Sequence, residues 1–175
     1  INQLSGGGCE HMGNFPTFPV KGKLKMSPDN ILNYRINISE EKGHAGYYEA
    51  MVQEDIKAKL TVTERTGMAS YEYPADQQYG TVIIGGGISA TPIEQAAIVI
   101  TAPNKCEGYA EGGNFCGLRT PYKVYFVAEF DTDALETGTW KREELMPNTT
   151  FAEGEYSGVY FTFDVNKKKN IQYKI

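Results

Sequence analysis

A chain of 175 residues, 41% hydrophobic and 22% charged, has the length of one domain, and a chain this long buries roughly 70% of the surface its unfolded form exposes. Its net charge of −5 opposes a phosphate backbone, so nucleic acid is set aside as a partner. No apolar stretch approaches the ~20 residues a membrane-spanning helix needs, which sets aside a helical membrane span.

The chain opens in mid-pattern on Ile1-Asn2-Gln3-Leu4 and closes inside the alternation Ile171-Gln172-Tyr173-Lys174-Ile175. Both ends read as cut, and the expectation is a piece of a longer protein. The first notable stretch is Leu4-Ser5-Gly6-Gly7-Gly8-Cys9-Glu10-His11-Met12-Gly13-Asn14-Phe15-Pro16. Consecutive glycines let backbone amides approach a ligand closely. Ser5, Glu10, His11 and Asn14 add a hydroxyl, a carboxylate, an imidazole and an amide to the same stretch. A phosphate cradle needs Gly-Lys-Ser/Thr after the glycines, and it is absent. Cys9 and His11 are two apart, but residues next to one another on an extended chain point to opposite sides, so sequence adjacency alone makes no nucleophile–base dyad. A flexible Gly/Ser linker is the bland alternative for the whole stretch.

Strands follow in series. Residues 47–53 are aromatic and β-branched, Glu54-Asp55 connects them onward, and Ile56, Ala58, Leu60 and Val62 then alternate with polar residues, which predicts a hairpin. Residues 69–73 form a strand stopped by Pro74. Residues 80–84 form another, ended by Gly85-Gly86-Gly87, a turn because no helix pattern follows it. Residues 94–101 read as a buried strand turned by Pro103-Asn104. Cys106 and Cys116 flank the glycine-rich residues 107–115; either they clamp a loop as a disulfide or all three cysteines are buried thiols. Residues 122–130 form the strongest strand, apolar enough to predict burial on both faces. Residues 139–145 could manage a helical turn, no more. Residues 157–165 and 170–175 predict a last hairpin around the solvated turn Lys167-Lys168-Lys169.

Many short strands joined by Gly, Pro and Asn turns predict a mostly β, antiparallel two-sheet sandwich, a single domain over residues 1–175. Its 12 tyrosines would line strand edges and the outer face.

Three stretches together resemble the N-terminal domain of glycoside hydrolase family 92, the calcium-dependent exo-α-mannosidases. They are LSGGGCEHMGNFPTFP, GYYEAMVQEDIKAKLTVTERTGMASYEYP and GGNFCGLRTPYKVYFVAEFD, in the family's order and over most of the chain. The resemblance implies a galactose-mutarotase-like supersandwich packed on an (α/α)6 barrel, and removal of terminal mannose from glycans with inversion. Inversion needs two carboxyl groups about 6.5–9.5 Å apart. The resemblance puts them, with most calcium ligands, in the barrel, so this chain alone is expected to be inactive. Its 22 acidic residues fit that expectation, lying mostly in polar runs such as Glu40-Glu41 and Glu143-Glu144. Asp131-Thr132-Asp133 is too short for a calcium loop.

By position, the sandwich would lend its sugar-contacting residues from the opening segment, namely Ser5, Gly6, Gly8, Cys9, Glu10, His11 and Asn14, and from residues 112–116. Residues 39–45 depart from the family's usual Ser-His and Pro before Gly46-Tyr47-Tyr48, and linkage preference stays open. The resemblance also implies an exported protein: secreted, periplasmic or on the cell surface. The rival expectation is a stand-alone carbohydrate-binding module, with Trp140 and Tyr109 or Tyr122 as its stacking platform.

Overall fold

The computed structural model describes residues 14–29, 37–86, 93–115 and 118–175. Strands fill them: β1 (Thr17–Lys21), β2 (Ile38–His44), β3 (Tyr47–Val52), β4 (Ile56–Val62), β5 (Gly67–Glu72), β6 (Tyr79–Gly85) and β7 (Ile93–Ala102). The series continues with β8 (Lys105–Phe115), β9 (Leu118–Phe130), β10 (Glu136–Lys141), β11 (Glu144–Pro147), β12 (Phe151–Glu153), β13 (Ser157–Asp164) and β14 (Asn170–Lys174). They build two antiparallel sheets, one of five strands in the order β1-β6-β13-β10-β11 and one of nine in the order β12-β7-β8-β9-β14-β5-β4-β3-β2. The expected β-sandwich is therefore the fold.

The alternation read from residues 56–62 sets the inward face of β4, where Ile56 and Ala58 are buried. Its hairpin with β3 runs from Val52↔Ile56 to Tyr47↔Thr61. Gln53 and Glu54 make the turn with φ of 50° and 78°. Between the sheets, Phe130 of β9 meets Phe161 and Phe163 of β13 at centroid distances of 4.7 and 5.1 Å, and Tyr173 of β14 at 5.1 Å. Burying rings of this size contributes on the order of 1.5–3 kcal/mol each.

Several tyrosines sit inside the sandwich, against the expectation that they line its edges. Tyr71, Tyr73 and Tyr173 are 1–3% exposed, and each hydroxyl has a partner, as burial requires. Tyr73 donates to the Thr81 carbonyl at 2.9 Å, Tyr173 donates to Thr17 at 2.7 Å, and the Tyr71 and Tyr173 hydroxyls lie 3.4 Å apart.

Other expectations also fail, each for a physical reason. Residues 157–164 and 170–174 are no hairpin: β13 pairs with β6 and β10, whereas β14 pairs with β5 and β9. The lysine turn carries the chain from one sheet to the other. It is pinned by Lys167 on Asp164 at 3.6 Å and Lys168 on Asp131 at 2.7 Å. Residues 139–145 form no helical turn; β10 and β11 pair around them, with Arg142 at φ 52°. Cys106, near the start of β8, is a free, fully buried thiol, as the buried-thiol alternative expects. Cys116 itself lies outside the described residues.

The expected two-faced burial belongs to β13 and not to β9. On β13, Val159, Phe161 and Phe163 face the core, while Gly158, Tyr160 and Thr162 on the other side are buried too. Residues 22–29 cross that outer side. The Gly22 carbonyl accepts from Thr81, Lys23 lies 4.5 Å from the Tyr79 ring centroid and pairs with Glu136, and Ser27 donates to the Arg142 carbonyl. Trp140 of β10 lies alongside, 1% exposed and registered opposite Gly158, where a Cβ would fall 2.3 Å from the indole. On β9, Phe126, Ala128 and Phe130 face the core, but Tyr125 and Val127 face outward at 70% and 48% exposure.

Candidate functional site

β8 and β9 are the longest strands, 11 and 13 residues, and they run together from Lys105↔Glu129 to Phe115↔Leu118. On its other side β9 pairs with β14 only at Phe130 and Glu129. Upstream of these, among the described residues, β9 has no strand beside it, so the β7–β8–β9 ribbon projects past the end of β14. Irregular pairing reshapes the projecting end. β7 shifts register between Ile93 and Gln95, and β8 between Gly112 and Asn114. Gly113 is required at the second shift. Its φ is 138°, and a Cβ there would fall 2.1 Å from the Thr120 carbonyl oxygen. Such bulges re-aim side chains and are common beside binding sites.

The end of the opening segment is fastened to this ribbon. Tyr122, registered opposite Gly112, donates its hydroxyl proton to the Asn14 side-chain oxygen at 2.8 Å. Next to it, the Phe15 ring lies 4.3 Å from that of Phe126 and packs on Ile93, Ala96 and Ala110. Two segments that the sequence singled out separately, the one ending at Asn14 and the one around residues 112–113, thereby meet at one end of the sandwich. Residues 112–115 belong to β8, so the expected second loop is the far part of a hairpin.

Where β9 outruns β14, an open depression of about 640 Å³ has formed. Asn14, Phe15, Arg65, Tyr125, Glu129 and Lys174 line it, and Lys174 pairs with Glu129 at 3.3 Å. Aromatic walls with amide, carboxylate and cationic groups suit a polyhydroxylated ligand better than a wholly apolar one. On the neighbouring outward face, the Lys123 ammonium sits 3.7 Å from the Tyr109 centroid and 5.5 Å from that of Tyr125, and pairs with Glu111 at 2.5 Å. The hydrogen bond to Glu111, opposed by some desolvation, raises the Lys123 pKa and keeps it charged.

Of the residues expected to touch a ligand, Asn14 is at this end of the molecule; Ser5, Gly6, Gly8, Cys9, Glu10 and His11 lie outside the described residues. Tyr122, Phe15, Arg65 and Lys174 were not anticipated as parts of a site with Asn14, because their meeting depends on long-range contacts such as the Tyr122–Asn14 hydrogen bond across 108 residues. The rival stacking platform is dismantled: Trp140 is buried in the five-stranded sheet, while Tyr109 and Tyr122 are on the nine-stranded one.

Among the described carboxyl groups, only Asp29 has its pKa raised, chiefly by burial, with Arg142 opposing and Glu143 adding to the shift. It ends the segment that crosses the other sheet, where its backbone N–H donates to the Ser27 hydroxyl. Among the described residues no three His, Cys, Asp or Glu side chains converge as a metal site. No described helix is long and apolar enough to cross a membrane.

A family model, that of the glycosyl hydrolase family 92 N-terminal domain, matches residues 1–175. No curated protein matches the sequence. The fold is similar to that of the family GH92 α-mannosidase BT3965 from Bacteroides thetaiotaomicron, with a TM-score of 0.82 at 23% identity over 99% of this chain and 25% of that one. It is also similar to the family GH92 inverting mannosidase BT2199 from Bacteroides thetaiotaomicron VPI-5482, with a TM-score of 0.74 at 21% identity over 91% of this chain and 21% of that one. For the GH92 family glycosyl hydrolase ccman5 the TM-score is 0.79 at 20% identity, over 94% and 23% of the two chains. The chain thus spans between a fifth and a quarter of the length of these proteins.

Proposed function

Because the chain belongs to the glycosyl hydrolase family 92 N-terminal domain family, we propose that it is the sandwich domain of a longer exo-α-mannosidase and lends one end to the mannoside pocket. The single observation that carries the pocket assignment is the Tyr122–Asn14 hydrogen bond, which ties the segment ending at Asn14 to the β8–β9 ribbon beside the polar, aromatic-walled depression. In this reading Ser5, Gly6, Gly8, Cys9, Glu10, His11 and Asn14 approach the glycan from that end.

The chemistry assigned to this domain is positioning: hydrogen bonding and stacking against the sugar, and exclusion of water around it. Proton transfer belongs to two carboxyl groups on the remainder of the longer chain, an (α/α)6 barrel by resemblance, and water attacks with inversion. Calcium is assigned to that remainder as well, where it would supply electrostatic hold on sugar hydroxyls. Export to the periplasm, cell surface or medium completes the reading.

The test is hydrolysis of α-mannosides by the full-length protein, with the anomer released first followed by NMR. The expected result is β-mannose from the full-length protein and no turnover by residues 1–175. Full-length protein without activity on any α-mannoside, or turnover by the domain alone, would refute the proposal. Calorimetry of the isolated domain with mannosides is expected to give no heat of binding; clear binding would favour a stand-alone module.

A further inference from the structure

We propose that Arg142 and Tyr156 form a second sugar contact, one that holds the part of the glycan left behind when the terminal mannose is removed; this rests on the mannosidase reading above and adds residues to its pocket. Both lie in turns at the end of the sandwich that carries Asn14. In the five-stranded sheet, Thr17, Ile84, Val159 and Thr139 form one cross-strand row. Three strand spacings separate its ends, about 14 Å. Asn14 precedes Thr17 by three positions, Tyr156 precedes Val159 by three, and Arg142 follows Thr139 by three. Because β10 runs opposite to β1 and β13, all three emerge on the same side of the row. Backbone hydrogen bonds join the segments that carry them. Gly85 donates to the Pro16 carbonyl at 2.9 Å, Gly86 to the Ser157 carbonyl at 3.0 Å, and Arg142 to the Tyr156 carbonyl at 2.7 Å.

Arg142 and Tyr156 stand in backbone conformations that turns usually give to glycine. The β10–β11 hairpin closes at Lys141↔Glu144, so Arg142 is the first of two turn residues, with φ of 52°; Tyr156, just before β13, has φ of 58°. Glycine is favoured at such positions, and bulky residues held there are a strain that collects at ligand sites. Here the strain sets two polar groups side by side in solvent. The Arg142 guanidinium lies 5.1 Å from the Tyr156 ring centroid, with 65% of the Arg142 side chain and 43% of Tyr156 exposed. Both turns are held from within: Ser27 donates to the Arg142 carbonyl, and Ser157 donates to the Gly154 carbonyl at 2.7 Å.

Charge selects the ligand. The Arg142 guanidinium stands among three carboxylates: Glu155 at 4.0 Å, Asp29, whose ionisation it favours, and Glu143, which opposes that ionisation. A patch with this balance repels phosphates and acidic sugars. Guanidinium donors, a phenol and carboxylate acceptors within reach of one another suit the hydroxyls of a neutral sugar. A pair that served only to close the two turns would be better made of glycine and asparagine.

Kinetics of the full-length protein on two substrates test the assignment: an α-linked mannotriose, and an aryl α-mannoside that has no sugar on the leaving side and serves as the internal reference. Arg142→Gly keeps the turn and removes the guanidinium. The expected result is a melting temperature held or raised, and a mannotriose KM about tenfold higher relative to the aryl reference, the worth of one charged hydrogen bond. Tyr156→Asn also suits its backbone angle and is expected to give the same selective loss should the first variant fold poorly. Equal changes on the two substrates, or none on either, overturn the proposal. The mannosidase reading is judged separately. If the unaltered protein cleaves neither substrate, that reading falls and this inference with it; an active protein indifferent to both substitutions sinks only the Arg142–Tyr156 contact.

Discussion

β9 and β13 are both rich in Val, Tyr and Phe, yet they end in opposite circumstances. β13 has a third layer over its outer side, made by residues 22–29 and the Trp140 ring. β9 has the core on one side and, on the other, Tyr125 and Val127 facing out. A strand apolar on both sides needs cover on both. The chain supplies its own cover for β13, whereas among the described residues nothing covers β9 from outside. Apolar residues along a strand thus do not by themselves tell whether both of its sides are covered.

The largest expected effect tests this contrast directly. Trp140→Ala removes the cover over β13 and is expected to cost about 3–5 kcal/mol in urea unfolding of the isolated domain. Tyr125→Ala on the open side is expected to stay within about 0.5 kcal/mol. Equal costs for the two would erase the distinction between a covered and an uncovered strand.

A smaller effect is expected at the reshaped end of the ribbon. Gly113→Ala forces a Cβ toward the Thr120 carbonyl at a backbone angle side chains avoid, which costs on the order of 1–3 kcal/mol. It should also shift the NMR signals of Tyr122 and Asn14; unchanged signals would show that the bulge does not position that pair. Smaller again is Tyr122→Phe, which removes the hydrogen bond to Asn14 for about 0.5–1.5 kcal/mol. Its reach into function is read in the full-length protein, where mannoside KM should rise if the Asn14 end touches sugar.

The last effect vanishes at neutral pH. Burial raises the Cys106 thiol from 9.0 to about 12, with a backbone hydrogen bond from Ala128 opposing and Glu107 adding slightly. The folded thiol therefore stays protonated where the unfolded one ionises. Stability is unaffected below about pH 9 and falls as pH rises from there towards 12. Cys106→Ala should flatten that fall, leaving the part due to the buried tyrosines Tyr71, Tyr73 and Tyr173, whose pKa values burial also raises. An unaltered slope would mean the thiol is not sealed in the core.

How far the sequence could be read follows from the range of the interactions involved. The β3–β4 hairpin was legible because alternation and turn residues lie within 16 positions. The crossing from β13 to β14 was misread because Asn166, three lysines and Asn170 make the same turn chemistry whether the next strand pairs back or enters the facing sheet. Trp140 looked like an exposed platform because its burial involves packing against Gly158, which is not adjacent to it in sequence. The site was legible only in part. Glycines and polar groups flagged the segment ending at Asn14, but Tyr122 is 108 residues away and Lys174 further still, and no local pattern announces such a meeting.

The domain reading turns on whether the end of the sandwich that carries Asn14 and Tyr122 faces the sugar. A crystal structure of the full-length protein with a bound mannoside measures this most directly, through the distance from the sugar to Asn14. The expected result is that the sugar lies against the segment ending at Asn14. A mannoside bound with no part of residues 1–175 against it would contradict the reading.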